Sequence, residues 1–290
     1  MRLSLSITDF SWPGGPGSLT AELGRVARQA DEGGLDTLWV PDHLIQAVPG
    51  TEPTQEMVEA YTTLGYLAAR TERIRLGTAV TAVTFRPPAL LIKAVTTLDV
   101  LSNGRAWLGI GAGYLQSEAD MMGLPLPPVA ERFEHLEDAL RLALQMWSGD
   151  ETAFEGVRNR LERPINSPAA VTRPHPPIMV GGMGEKKTLR LVAQYAQACN
   201  LPDIPDGGAT IKRKLAILAE HCDAVGRDYA EIIKTVATRL EPGESSADFS
   251  RRCAALADLG ADHVVVITAG AWTADAVRQL TDAVPAVEQI

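Results

Sequence analysis

Cysteine is scarce in this sequence of 290 residues, and its placement argues against two common structural uses. Cys199, Cys222 and Cys253 lie far apart, are odd in number and form no CxxC pair. A disulfide framework and a zinc cluster are therefore both unexpected. The four histidines that follow residue 100 also lack metal-site spacing with acids or cysteines. We expect no bound metal and a reducing compartment, the cytoplasm.

Long apolar runs and an excess of positive charge are also missing. No stretch approaches the ~20 apolar residues of a membrane-spanning helix. The first eight residues lack the longer apolar core of a signal peptide. With 36 acidic and 27 basic residues, the net charge is -9, which gives no general attraction to nucleic acid or to an anionic membrane. We expect neither partner, and any anionic ligand must be held by a local cluster of donors.

What is present is an alternation of short apolar runs with longer helical patterns. Hydrophobic residues make up 46% of the chain, enough for a substantial core. The predicted strands are 3–8, 37–41, 74–80, 106–111, 177–181, 198–201, 232–239 and 263–268. The predicted helices are 19–32, 56–70, 89–101, 129–147, 186–197, 211–225, 246–259 and 274–284. Residues 150–176 hold several prolines and little periodicity, so they are predicted to be an insertion after the fourth helix.

Eight strand–helix units in strict alternation predict a parallel sheet with helical crossovers. Eight is the number of units in a TIM (β/α)8 barrel, and the length of 290 residues agrees with that fold. A doubly wound open sheet is the alternative. We therefore predict an α/β protein with one barrel domain, 1–290, whose functional residues follow the strands at the C-terminal face.

The stretch LWVPDHLIQ places an acid and an imidazole directly after the second predicted strand. His43 could donate or shuttle a proton near neutral pH. Asp42 could accept a hydrogen bond from an N–H of a ligand ring. A helix cap or a solvated turn is the alternative interpretation of the pair.

Glycines at the end of the fourth predicted strand suggest space for a ligand. Gly109, Gly111 and Gly113 only partly match a dinucleotide-binding loop, because Tyr114 stands where the third glycine of that motif belongs. A strand end made of small residues is the simpler interpretation. It would leave room for the flat ring of a cofactor in the mouth of the barrel.

A second glycine group, Gly181-Gly182-Met183-Gly184, follows the fifth predicted strand. It is not a P-loop, because that motif requires glycine where this chain has Lys186. Glycines at a helix N-terminus nevertheless expose backbone N–H groups to an anion. We expect an anion site there, with positive potential added by Lys186, Lys187 and Arg190. A flexible turn followed by solvated charges is the alternative.

Two further groups are predicted to be structural. The acids of the long fourth helix are expected to form a solvated face; they are Glu131, Glu134, Glu137 and Asp138. Three tryptophans are expected in the core rather than in a ligand platform; they are Trp39, Trp107 and Trp147.

Five segments spread along nearly the whole chain together resemble the luciferase-like monooxygenase superfamily of flavin and deazaflavin barrels. They are LWVPDHL, EAYTTLGYLAARTERIRLGTAVT, RPPALLIKAVTTLDVLSNGRAWLGIGAG, RFEHLEDAL and PHPPIMVGGMGEKKTLRLVAQYA. The chain is most similar to the branch that uses coenzyme F420, a deazaflavin hydride carrier. The resemblance implies a TIM barrel with an insertion, a cofactor ring in the barrel mouth and hydride transfer between F420 and a small organic substrate. It also makes a homodimer plausible.

The resemblance further implies roles for particular residues. A bulge should follow the third strand, with a cis peptide bond between Ala79 and Val80. The cofactor ring should pack against this bulge. Asp42 should contact the pyrimidine side of the ring, and His43 should be the catalytic residue beside the reactive carbon. Ala112, Gly113 and Ser117 should line the ring and the ribityl chain. Gly181, Gly182 and Met183 should bind the phosphate.

One departure from the family pattern concerns the substrate. Relatives that act on sugar phosphates carry a carboxylate near position 114, where this chain has Tyr114. The stretch Tyr114-Leu115-Gln116-Ser117 predicts a less charged substrate side. Two other functions remain open: an FMN-dependent monooxygenase that activates oxygen, and a non-catalytic barrel that binds flavin.

Overall fold

The computed structural model describes residues 1–47 and 50–290. Its strands are β1 Arg2–Ser6, β2 Thr37–Val40, β3 Arg75–Thr78, β4 Thr81–Ala82, β5 Ala106–Gly111, β6 Phe154–Glu155, β7 Arg160–Leu161, β8 Ile178–Gly181, β9 Ala198–Pro202, β10 Ile233–Arg239 and β11 His263–Ile267. Its α-helices are α1 Leu19–Glu32, α2 Ala60–Ala68, α3 Pro88–Leu101, α4 Gln116–Met122, α5 Val129–Ser148, α6 Thr188–Tyr195, α7 Ala209–Val225, α8 Ser246–Asp258 and α9 Ala274–Val287.

Eight of these strands close into a barrel. The order runs β3-β2-β1-β11-β10-β9-β8-β5, and β3 pairs with β5 to complete the circle. Every pairing in this sheet is parallel. The predicted TIM barrel is confirmed, and the open doubly wound sheet is wrong. All eight predicted strands are present with ends shifted by no more than a few residues.

The barrel interior is built around two tryptophans. Trp39 on β2 and Trp107 on β5 pack edge to face, with ring centroids 5.7 Å apart. Gly77 lies between them on β3, where a Cβ atom would approach the Trp39 ring to 2.7 Å. Outside the strands, the indole N–H of Trp147 donates to the Thr96 hydroxyl at 2.9 Å. The expectation that these tryptophans are core residues is confirmed.

The third predicted strand, 74–80, is interrupted. β3 ends at Thr78, the Ala79–Val80 peptide bond is cis, and β4 then pairs with the outer part of β5. The predicted bulge and cis bond are therefore confirmed. Gly109 is required here because a Cβ atom on it would lie 1.7 Å from the Thr78 carbonyl oxygen. This glycine accommodates the close approach of the two backbones.

The insertion 150–176 contains the antiparallel β6–β7 hairpin and is tied to the barrel helices by buried acids. Asp138 on α5 accepts backbone N–H bonds from Val157, Arg158 and Asn159 at 2.7 to 3.0 Å. Asp99 on α3 holds residues 171 and 172 in the same way. The prediction that Asp138 belongs to a solvated face is wrong, because its side chain is buried beneath the hairpin.

Two local differences affect the site. The second helix is shorter than predicted because the Glu59 side chain caps its first turn by accepting from the N–H of Thr62. The short helix α4 was not predicted, since seven residues carry too little periodicity to reveal a helix. Among the helices of the described residues, none is both long and apolar enough to cross a membrane.

Candidate active site

A cavity of about 530 Å³ opens at the C-terminal mouth of the barrel. It is bounded by the ends of β2, β4, β5 and β8, by the cis bond and by the starts of α4 and α5. Most of the predicted site residues line it: Asp42, His43, Ala79, Val80, Ala112, Gly113, Gly181 and Gly182. Ser117 and Met183 do not line it; both are exposed to solvent. Their predicted cofactor contacts stay predictions.

His43 is held by a buried carboxylate that sequence reasoning missed. Its Nδ1 lies 2.7 Å from an oxygen of Glu118 on α4, whose second oxygen accepts the backbone N–H of Leu44 at 2.6 Å. The Glu118 side chain is 1% exposed and that of His43 22%. Burial alone would raise the pKa of Glu118, but these hydrogen bonds outweigh it and lower its pKa. An ionised Glu118 places a proton on Nδ1 and leaves Nε2 as the other functional nitrogen of His43.

Asp42 is also fixed by a partner that sequence reasoning missed. The guanidinium of Arg86 spans its two carboxylate oxygens at 2.5 and 2.9 Å and reaches Glu59 at 2.6 Å. Arg86 stacks on the ring of Tyr61, with 4.9 Å to the centroid, and the Tyr61 hydroxyl bonds Thr81 on β4. Each Asp42 oxygen keeps a further lone pair, so its predicted contact with a ring N–H stays a prediction.

Glycines that end and follow β8 form another part of the cavity wall. A Cβ atom at Gly181 would lie 2.9 Å from a methyl group of Val80, and one at Gly184 would lie 2.7 Å from the Thr188 hydroxyl. Gly182 has φ +117°, a conformation that L side chains rarely adopt. Backbone therefore forms this surface, and N–H groups can approach a ligand closely at the start of α6.

Two of the three cations predicted beside this turn are engaged elsewhere. Arg190 forms an ion pair with Glu137 at 2.8 Å, and the Lys187 ammonium lies over the ring of Phe133 at 5.3 Å. The guanidinium that does line the cavity belongs to Arg132, near the start of α5. The sequence offered no local signal for this arginine, since it lies among acids of the fourth predicted helix.

The residues present fit a phosphorylated flavin or deazaflavin. The volume is in the range of small-molecule sites. Val80 packs directly against the backbone of Gly111 and Gly181, where added Cβ atoms would lie 3.0 and 2.9 Å from its methyl groups. Arg132 also lines the cavity, and its Nε–H is buried and has no hydrogen-bond partner among the described residues. A second cavity of about 660 Å³ adjoins the first, and Phe85 and Leu126 line both.

A closed barrel with its cavity at the C-terminal mouth belongs to the TIM-barrel class. Within that class, the chain belongs to the luciferase-like monooxygenase family, whose family model matches residues 1–285. Solved structures share the whole fold. An F420-dependent secondary alcohol dehydrogenase, solved with an F420-acetone adduct, superposes with a TM-score of 0.82 at 15% identity, covering 99% of this chain and 98% of that one. A monooxygenase from Streptomyces bottropensis superposes with a TM-score of 0.79 at 20% identity, covering 98% and 99%.

Curated relatives are similar in sequence over part of their length. The F420-dependent glucose-6-phosphate dehydrogenase of Kineococcus radiotolerans is 33% identical over 237 residues, which cover 78% of this chain and 65% of that protein. The enzyme of the same name from Amycolatopsis mediterranei is 35% identical over 154 residues, covering 50% of this chain and 45% of that protein. The matched part of this chain thus spans less than two thirds of either relative.

Proposed function

We propose that this protein is an oxidoreductase that uses coenzyme F420 to move a hydride to or from a small organic substrate. The observation that carries the proposal is the His43–Glu118 pair at the mouth of the barrel, beside the bulge at Ala79–Val80. Support comes from curated relatives that are named as F420-dependent dehydrogenases. When bound, the deazaflavin ring supplies the carbon that accepts or donates the hydride.

The residues of this chain supply position and a proton partner. With Nδ1 bound to Glu118, Nε2 of His43 can take the hydroxyl proton of an alcohol as its carbon loses a hydride. In the reverse direction the imidazolium returns that proton to the carbonyl oxygen. The ionised Glu118 stabilises the imidazolium of His43. The ion pair with Arg86 fixes the carboxylate of the adjacent residue, Asp42.

We infer that the substrate is uncharged. The cavity that His43 lines is also lined by Phe85, Leu115 and Leu126, and by Asp42 and Glu118. Apolar walls favour an apolar body, and neither carboxylate offers a positive partner to a sugar phosphate or a carboxylate. Secondary alcohols and ketones therefore suit this corner. We expect glucose 6-phosphate to give no measurable turnover under conditions in which an uncharged alcohol or ketone is converted.

The function is tested by cofactor titration followed by turnover. We expect F420 to bind more tightly than FMN in fluorescence titrations and turnover to need no oxygen. His43→Ala should lower kcat by about 10²- to 10⁴-fold, the usual effect of a positioned proton-transfer group, with little change in cofactor Kd. His175→Ala, at the opposite end of the barrel, is the matched control and should retain activity.

Three outcomes decide between the candidate functions. Binding of FMN alone, with turnover that requires oxygen, would replace the proposal with an FMN-dependent monooxygenase. Binding of either cofactor with no turnover of any alcohol, ketone or aldehyde would favour a non-catalytic flavin-binding barrel. Full activity of the His43 variant would remove the catalytic role of His43 and leave the cofactor assignment standing.

A further inference from the structure

We propose that the second cavity at the mouth of the barrel binds the distal arm of the substrate, an apolar chain that carries one uncharged polar atom. This inference rests on the proposed function, which places the reacting alcohol or ketone beside His43. It assigns a role to a part of the molecule that the proposed chemistry does not use, and it makes the length of the substrate a property that the protein selects.

The second cavity continues the first. Its volume is about 660 Å³, compared with about 530 Å³ for the cavity that His43 lines. Phe85 and Leu126 line both cavities. A substrate that reacts in the first cavity can therefore extend past these two side chains into the second.

The wall of the second cavity is largely apolar and conformationally restricted. Its lining includes Val83, Pro87, Pro88, Pro125 and Pro127. Proline has no backbone N–H donor and its φ angle is fixed, so this wall offers few hydrogen bonds and little freedom to collapse. A preformed apolar pocket of this kind suits a hydrocarbon arm.

Three ionisable side chains also lie on this wall, and each is next to a group that can compensate its charge. The guanidinium of Arg86 bonds the carboxylate of Asp42. Glu131 lies 3.5 Å from the guanidinium of Arg158 and 3.9 Å from the imidazole of His135. Because these charges are already compensated, the cavity favours an uncharged arm over an anionic one.

One polar atom of the wall is left for a ligand. Oγ1 of Thr84 is buried and has no hydrogen-bond partner among the described residues, and Thr84 lines the second cavity. The hydroxyl lies near the junction of the two cavities, since a Cβ atom on Gly113 would lie 3.8 Å from it and 3.5 Å from Leu126. Buried hydroxyls are normally hydrogen-bonded, so an ether or hydroxyl oxygen on the arm would satisfy this one.

The test of the arm uses methyl ketones of increasing length, from 2-butanone to 2-decanone. Their kcat/KM is measured with reduced F420, and their Kd by calorimetry with oxidised F420 bound, a state in which no ketone is reduced. In the native protein, each CH₂ group that enters the second cavity should raise kcat/KM about 3- to 4-fold. His135→Trp places an indole in the cavity and should lower the ratio of kcat/KM for 2-decanone to that for 2-butanone about 10- to 100-fold.

Two further variants separate filling of the cavity from other effects. Pro125→Trp, at an exposed position of the same wall, should lower the ratio as well, and it serves if the His135 variant folds poorly. Glu134→Trp adds the same ring at the neighbouring position of α5, which lines neither cavity, and should keep the ratio within 3-fold of the native value.

The contact with Thr84 is tested by an oxygen scan of the arm. Each CH₂ group of the 2-decanone chain is replaced in turn by an ether oxygen. In the native protein, the analogue whose oxygen accepts from Thr84 should have a kcat/KM about 5- to 10-fold above the other ethers. Thr84→Val keeps the shape of the side chain without its hydroxyl and should remove that advantage.

The proposal is overturned by any of three results. A ratio that is unchanged in both His135→Trp and Pro125→Trp, or that falls equally in Glu134→Trp, would show that the arm does not enter this cavity. An oxygen scan without a favoured position, or with the same favoured position in Thr84→Val, would show that the hydroxyl meets no atom of the arm. Failure of the proposed function is recognised separately: if no ketone is reduced with F420, the Kd values still give the same ratios and test the cavity.

Discussion

At the scale of single residues, the chemistry depends on partners that lie far away in the chain. His43 meets Glu118 across 75 positions, and Asp42 meets Arg86 across 44. Each contact joins an ionisable group at the end of β2 to a buried or half-buried partner. Such partners set orientation and charge, so removal of Glu118 should alter the rate and its pH dependence rather than cofactor affinity.

Glu118→Gln tests this positioning role. The amide oxygen can still accept one hydrogen bond, but the negative charge that stabilises the His43 imidazolium is gone. We expect kcat to fall about 10- to 100-fold, because a charge-assisted hydrogen bond is lost. The pH dependence of kcat should change as well, because the negative charge beside the imidazole is gone. Cofactor Kd should stay within 3-fold of the native value.

A purely structural role for Glu118 predicts a different pattern. In that case the variant would lose thermal stability and cofactor affinity together, with an unshifted pH profile. Glu118→Asp, which keeps the charge on a shorter side chain, should recover the native pH profile more than Glu118→Gln does. Failure of that recovery would count against the positioning role.

At the scale of elements, the insertion 150–176 is attached to the barrel by acidic side chains of the helices α3 and α5 rather than by a hydrophobic core within the insertion. Its only regular structure in the described residues is the hairpin of β6 and β7. Asp138 supplies acceptors to three consecutive backbone N–H groups next to the turn of that hairpin. Gly156 packs so tightly against this carboxylate that a Cβ atom on it would lie 2.4 Å from an oxygen.

Asp138→Ala should release the hairpin while leaving the barrel folded. Three backbone N–H groups lose a charged acceptor, and we expect a loss of about 1.5–3 kcal/mol in the free energy of unfolding. Trypsin should cut the insertion faster, near Arg158 and Arg160. Glu134→Ala is the matched control on the same helix; it removes only a half-exposed ion pair with Arg158 and should cost less than about 1 kcal/mol. Equal proteolysis of the two variants would contradict the anchoring role of Asp138.

At the scale of the whole molecule, the bottom of the barrel carries a buried histidine with consequences for acid stability. His263 begins β11 and hydrogen-bonds the hydroxyl of Ser4 on β1. Burial lowers its pKa below the ordinary value, and the charges of Arg75 and Arg2 act in the same direction, against the opposing effect of Asp36. The imidazole is therefore neutral in the folded protein at pH values where it is charged in the unfolded chain.

The sign of the pH effect follows from that difference. As pH falls below about 6.5, the unfolded chain binds a proton at residue 263 that the folded protein does not, so the free energy of unfolding decreases. Between pH 7.5 and 5 this group should account for a loss of up to about 2 kcal/mol. His263→Gln removes the titration and should flatten the curve in urea-melting experiments, whatever its effect on stability at pH 7.5. An unchanged slope would exclude His263 as the source.

Local sequence patterns determined the fold and the place of the site. Alternation of strand and helix periodicity predicted eight units, and parallel strands bring their C-terminal ends to one face, so Asp42, His43 and the two glycine groups could be assigned to one mouth. These inferences succeeded because hydrophobic periodicity reports burial within a single element. The sequence also predicted the interruption at Ala79–Val80, through the family resemblance.

Only the tertiary structure decided which charged residues act together. Local periodicity marks none of Glu118, Arg86 and Arg132 as a site residue, and Asp138 is indistinguishable in sequence from its solvated neighbours. Whether a carboxylate is exposed, capped by backbone N–H groups or paired with an imidazole depends on elements that approach from elsewhere in the chain. Adjacent residues cannot report that environment, because burial and partners at these positions are created by packing across the barrel.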